Sequence, residues 1–177
     1  GVTTVQCEDE IAGCASSIGA AFAGALAVTS TSGPGVCLKS EAMNLAVITE
    51  LPLVILDVQR GGPSTGLPTK SEQTDLLQAL FGRNGESPMP VIAATSPTNC
   101  FDAAYNACKM ALEHMTPVVL LTDAFVANGS GAFKLPNLAE YPDIKPPYVT
   151  PEMAGHYTPY QRNPEHQVRY WAIPGQE

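Results

Sequence analysis

Apolar and polar positions alternate between short β-branched runs and longer stretches of helical spacing. Thr3 to Gln6 is the first such run and predicts a strand. Glu8-Asp9-Glu10 then opens a helix, since acids in a first turn offset the positive end of the dipole. It is predicted to run to about Ala25. The small residues Gly13, Ser17, Gly19, Ala20, Ala23 and Gly24 let another backbone or a flat ligand approach it closely. Ala27 to Thr31 predicts a strand, Ser32-Gly33-Pro34-Gly35 a tight turn, and Val36 to Thr49 a helix spaced by Leu38, Met43, Leu45 and Ile48. Leu53 to Val58 is apolar without alternation, which suits a strand buried on both faces. Gln59 to Lys70 is a loop of Gly, Pro, Ser and Thr. Ser71 is placed to cap a helix reaching about Phe81, with Glu72 in its first turn. Pro90 to Thr95 then predicts a strand, Pro97 to Met115 a helix, and Pro117 to Thr122 a strand.

Five strand–helix alternations predict an α/β domain: a doubly wound, mostly parallel sheet with helices on both faces. Past Asp123 the pattern fails, and residues 131–177 hold half of the 16 prolines. The expected organisation is one domain over residues 1–130, its N-terminal element missing, then an irregular, extended connector over 131–177 towards a missing domain. Gly1 in place of an initiator Met points the same way, to a piece of a longer polypeptide.

Composition narrows the partners. Apolar residues make up 45% and charged residues 15%, as in an ordinary globular chain, and the formal net charge is -8. That charge, with no basic run, excludes a nucleic-acid surface, which needs clustered Lys and Arg. Cys7, Cys14, Cys37, Cys100 and Cys108 form no CxxC pair, so a zinc site or iron–sulfur cluster held by this chain alone is not expected. Reduced thiols and the lack of a basic, leucine-rich leader suggest the cytoplasm. Ile11 to Val28 is uncharged for 18 residues, but Gly, Ala, Ser and Cys dominate it, and these gain little from lipid; a buried helix is expected, not a membrane span.

In α/β sheets ligands gather at the carboxyl ends of the strands. Those ends here deliver Glu8-Asp9-Glu10, then Thr29 to Gly35, then Gln59 to Gly66: a carboxylate, a hydroxyl-lined turn and a guanidinium, a set that suits an anionic ligand. Gly33-Pro34-Gly35 has Leu38 where a dinucleotide fingerprint needs its third Gly, and no GxxxxGK[ST] occurs, so nucleotide motifs fail. His114, His156 and His166 show no ligand spacing.

The runs QCEDEIAGCASSIGAAFAGALAVTSTSGPG (6–35) and ELPLVILDVQRGGPSTGLPT (50–69) resemble the α subunits of 2-oxoacid:ferredoxin oxidoreductases, most closely the 2-oxoglutarate type, over roughly residues 5 to 125. The resemblance implies a flavodoxin-like domain carrying the pyrimidine side of a thiamine pyrophosphate site, in CoA-dependent oxidative decarboxylation of a 2-oxoacid with electrons passed to ferredoxin. It assigns Glu10 to the ring nitrogen of the aminopyrimidine. A carboxylic acid there favours the imino tautomer that takes the thiazolium C2 proton, a role that asks for a poorly solvated Glu10. Thr31, Ser32 and Gly33 would approach the cofactor. Arg60 would grip the 2-oxoacid carboxylate bidentately, with Thr65 beside the substrate and Ser64 and Thr69 as further candidates. Glu8 and Asp9 remain solvated or capping acids.

Family members bridge the pyrophosphate to a divalent metal through a GDG stretch, which this sequence lacks. The resemblance therefore implies a β subunit supplying the pyrophosphate and Mg2+ half, with iron–sulfur clusters also on partner chains, and no activity from this chain alone. A motif like YPITPS, expected before Thr3, is missing too. Branched-chain 2-oxoacids or pyruvate are the alternative substrates. A non-catalytic anion- or nucleotide-binding domain of flavodoxin type is the alternative of another class.

Overall fold

The computed structural model describes residues 1–176. Four parallel strands form one sheet in the order β1-β2-β4-β3: β1 (Val28–Thr31), β2 (Leu53–Gln59), β3 (Val91–Ala93) and β4 (Pro117–Asp123). β2 and β4 are central and pair along their whole length, from Leu53 opposite Pro117 to Gln59 opposite Asp123. Every residue of β4 is buried, as a strand covered on both faces requires. The alternating side chains of β2 separate two cores. Leu53 and Ile55 pack with Val119 and Leu121 under α1 (Glu10–Phe22) and α2 (Gly33–Ile48), whereas Val54, Val118 and Leu120 pack under α4 (Cys100–His114). Helices thus cover both faces, as the alternation predicts.

Several local expectations give way. Thr3 to Gln6 forms no strand; it is exposed coil, with no neighbouring strand to satisfy its backbone. The first helix stops at Phe22, short of Ala25, because its C-cap is Ala23 and Gly24 follows at a φ of 89°. Ser32 to Gly35 is not a separate turn: Ser32 is the N-cap, and Gly33, Pro34 and Gly35 are already the first turn of α2, where proline's fixed φ fits. No helix starts at Ser71; α3 spans only Leu76–Phe81, with Asp75 at its N-cap. Strand β3 is three residues long, and Pro97–Asn99 is a 3-10 turn before α4. A short helix, α5 (Ala124–Asn128), follows β4 directly, capped by Asp123, which accepts from the backbone N–H groups of Phe125 and Val126.

The proline-rich segment is irregular but attached. Trp171 is 1% exposed, packs against Leu112 and Met115, and donates from Nε1 to the carbonyl of Ala21 at 3.1 Å. Arg169 donates to the carbonyl of Thr49 at 2.9 Å, and Arg162 pairs with Glu50 at 2.7 Å. Trp171 and Arg169 thus serve carbonyls at the C-terminal ends of α1 and α2, where intrahelical donors run out, and Arg162 reaches the side-chain carboxylate of Glu50 just beyond α2. Among the described residues, no helix is long and apolar enough to cross a membrane.

Candidate functional site

The register brings the carboxyl ends of β1, β2 and β4 to one edge, with Thr31 opposite Asp57 and Gln59 opposite Asp123. Asp9 caps α1 by accepting from the N–H of Ala12 at 2.7 Å, so the acid run divides: Asp9 serves the helix, and Glu10 opens it. Glu10 is half-buried, and its side chain lies over Gly35. A Cβ on Gly35 would stand 2.9 Å from Cγ of Glu10 and 1.7 Å from Oγ1 of Thr31, so only glycine permits this meeting of α1, β1 and α2. Glu10 makes no hydrogen bond with the described residues, leaving its carboxyl available to an incoming donor.

The surroundings of Glu10 differ from the apolar pocket that its assigned role led us to expect. Lys39, one turn along α2, is buried, and its Nζ donates to Oγ1 of Thr29 at 3.0 Å. Burial pulls this ammonium below its usual range, while Cys14, Glu10 and Asp57 act in the other direction. Glu10 therefore sits among Thr31, a glycine backbone and a buried cation.

Gly33, Arg60 and Ser64 line one cavity of about 350 Å³, together with Cys37, Glu72 and Gln78. Arg60 is half-buried, and its Nε is enclosed without an acceptor among the described residues, an unpaired donor at a cavity wall. The loop after it closes on itself: Gly61 and Leu67 pair, Glu72 accepts from the N–H of Gly62 at 2.8 Å, and the Gly62–Pro63 peptide is cis. Thr65 and Thr69 are exposed outside the cavity lining. Ser32 is half-buried at the N-cap of α2. The candidates thus form two groups, Glu10 with Thr31 over Gly35 and Arg60 with Ser64 around Gly33, joined by the first turn of α2.

Sequence reasoning passed over the buried polar residues beneath that turn. Asp57 and Gln59 of β2, Asp75 at the start of α3, and Lys39 are all at most 9% exposed. Gln59 accepts from the N–H of Asp75 at 3.0 Å and donates to the carbonyl of Thr122 at 3.2 Å, tying α3 to the central strands. The available signal was a charge inside an apolar strand (Asp57 in LVILDVQ) and another on an apolar helix face. No three or more His, Cys, Asp or Glu side chains converge as metal ligands among the described residues.

Comparison with known proteins gives the family and the fold. Residues 1–173 match the family model described as pyruvate flavodoxin/ferredoxin oxidoreductase, thiamine diP-binding. The 2-oxoglutarate oxidoreductase subunit KorA of Mycobacterium tuberculosis is 55% identical over 98% of this chain and 26% of its own length. The 2-oxoglutarate synthase subunit KorA of Archaeoglobus fulgidus is 45% identical over 77% of this chain and 39% of its own. The solved 2-oxoglutarate:ferredoxin oxidoreductase of Magnetococcus marinus, with 2-oxoglutarate, coenzyme A and succinyl-CoA bound, superposes with a TM-score of 0.87 at 37% identity, covering 97% of this chain and 29% of that one. The chain therefore spans between a quarter and two fifths of the length of these relatives.

Proposed function

Because this chain belongs to the thiamine-diphosphate-binding family of pyruvate flavodoxin/ferredoxin oxidoreductases, we propose that it forms the pyrimidine-side half of the cofactor site in a 2-oxoglutarate:ferredoxin oxidoreductase. The reaction converts 2-oxoglutarate and CoA into succinyl-CoA, CO2 and a proton, and delivers two electrons to ferredoxin. Similarity to relatives named for 2-oxoglutarate supports that substrate over pyruvate or a branched-chain 2-oxoacid.

The observation that carries the proposal is the pairing of a free carboxyl with a free guanidinium donor along one helix turn: Glu10 over Gly35, and Arg60 in the cavity beside Gly33. These residues fit the cofactor's pyrimidine end. Glu10 has no hydrogen bond among the described residues to break, so its carboxyl is available to a ring nitrogen. Bound thiamine diphosphate would supply the acidic thiazolium carbon and an aminopyrimidine that can carry a proton. Glu10 holds or gives the proton at the ring nitrogen, while Thr31, Ser32 and Gly33 border the ring. Arg60 binds the carboxylate of the 2-oxoacid and Ser64 of the same cavity borders it, whereas Thr65 stands exposed outside that cavity.

Mg2+ and the pyrophosphate belong to a β subunit in this reading, iron–sulfur clusters lie on partner chains, and residues 131–177 are a connector that Trp171 pins to the domain. Five free cysteines suit assembly in the cytoplasm. The test is 2-oxoglutarate-dependent ferredoxin reduction by the assembled complex. Glu10→Gln is expected to lower turnover by roughly 100-fold or more. Turnover untouched by that change would favour a non-catalytic, anion-recognising domain instead.

A further inference from the structure

Asp75 stands at the N-cap position of α3, where an aspartate ordinarily accepts a backbone N–H of the first turn. Here it makes no such bond. Its carboxyl turns inward over Gly33, so closely that a Cβ on that glycine would lie 2.6 Å from Oδ2 and 2.8 Å from Oδ1. From there it comes within hydrogen-bonding reach of Asp57, a fully buried residue of β2. Both oxygens of Asp57, and Oδ2 of Asp75, are enclosed without a donor among the described residues. Two ionised carboxylates cannot share such a space, whereas one proton between them turns repulsion into a hydrogen bond.

Charges on every neighbouring element bear on the pair. Lys39 of α2 is the buried cation that faces Asp57, and it also faces Glu10 and the Cys14 thiol of α1. Glu72, on the loop before α3, adds negative charge beside Asp75. One ammonium thus meets several carboxyl groups, which leaves room for a proton.

We propose that Asp57 and Asp75 share one proton, and that this pair is a positioning element: the shared proton fastens the start of α3 to the Gly33 turn and fixes the wall of the cavity that Arg60 lines. Gln78, one turn into α3, adds a second tie by donating to the carbonyl of Gly33 at 3.3 Å. The effect on substrate rests on Arg60 being the carboxylate clamp; the shared proton does not.

Burial, then the charge and hydrogen bond of Asp75, push Asp57 up to about 7 against the opposing pull of Lys39. Asp75 is also raised, chiefly by burial. The titration belongs to the pair as a unit. With its pKa above the unfolded value, the pair's contribution is fully present below the ordinary carboxylate range and is lost as pH climbs to about 7.

The experiment compares the assembled oxidoreductase as wild type, Asp57→Asn and Asp57→Leu across that range, reading the thermal unfolding midpoint and half-saturation by 2-oxoglutarate. Asp57→Asn carries a permanent N–H donor in place of the proton. It is expected to flatten both pH profiles while keeping half-saturation within about twofold of the low-pH wild-type value, whereas the wild type worsens by about tenfold through neutrality, the effect of one unit of differential interaction. Asp57→Leu is expected to be impaired at every pH. A wild-type pH step that persists in Asp57→Asn, or an Asp57→Asn protein as damaged as Asp57→Leu, overturns the shared proton. If the unfolding midpoint follows the expected pattern but no 2-oxoacid is turned over, the pair stands and the functional reading falls.

Discussion

Gly35 is where three elements meet most closely, because a methyl group there would overlap the Thr31 hydroxyl and press on Glu10. Gly35→Ala is therefore expected to cost about 1–3 kcal/mol of stability, measured by chemical denaturation, and to weaken cofactor binding in the complex. Arg60 makes a different prediction. Lysine keeps the charge but loses the planar fork, so Arg60→Lys is expected to raise half-saturation by 2-oxoglutarate by roughly 10- to 100-fold with a smaller change in turnover. Glu10 and Arg60 could be singled out as candidates because their neighbours are distinctive: EDE before a helix of small residues, and RGGPSTGLPT after an apolar strand; Gly35 was not singled out. Nor were Asp57, Lys39 and Asp75. Each is a single charge whose partners come from other elements, and nothing local in the sequence announces that a strand aspartate will face a helix cap. The charged neighbour of Glu10 went unforeseen for the same reason, since the place of Lys39 on an apolar helix face says nothing of its partners until α2 is laid on the sheet.

Among the elements, those that form the two cores were readable from hydrophobic period alone: β2, β4, α2 and the body of α4 lie where the pattern puts them. Errors gathered where tertiary contacts decide. Ser71 is a sound cap by residue type, but Gln59 holds the N–H of Asp75 and delays the helix to Leu76. Thr3 to Gln6 has strand propensity and no strand to pair with. The C-terminal segment, which has no period to read, is held by its aromatic anchor. Trp171→Ala removes the packing on Leu112 and Met115 and the bond to Ala21. We expect a loss of about 3–5 kcal/mol in urea denaturation, with the sheet intact by far-UV circular dichroism.

For the whole molecule, the parallel sheet matters because it sends several strand ends to one rim, and the first turn of α2 then joins two groups of polar side chains there. One side of that turn carries Glu10 and Thr31; the other faces the cavity of Arg60 and Ser64. On the proposed reading, a proton-handling carboxyl and an anion clamp would share one rigid scaffold, as positioning catalysis requires. The account stands or falls on whether Glu10 serves the cofactor or only opens a helix. The most direct measurement is the exchange of the thiazolium C2 proton of bound thiamine diphosphate into heavy water, compared between the assembled wild type and Glu10→Gln at equal cofactor occupancy. The account predicts exchange slowed by roughly 100-fold or more in the variant; exchange at the wild-type rate would contradict it.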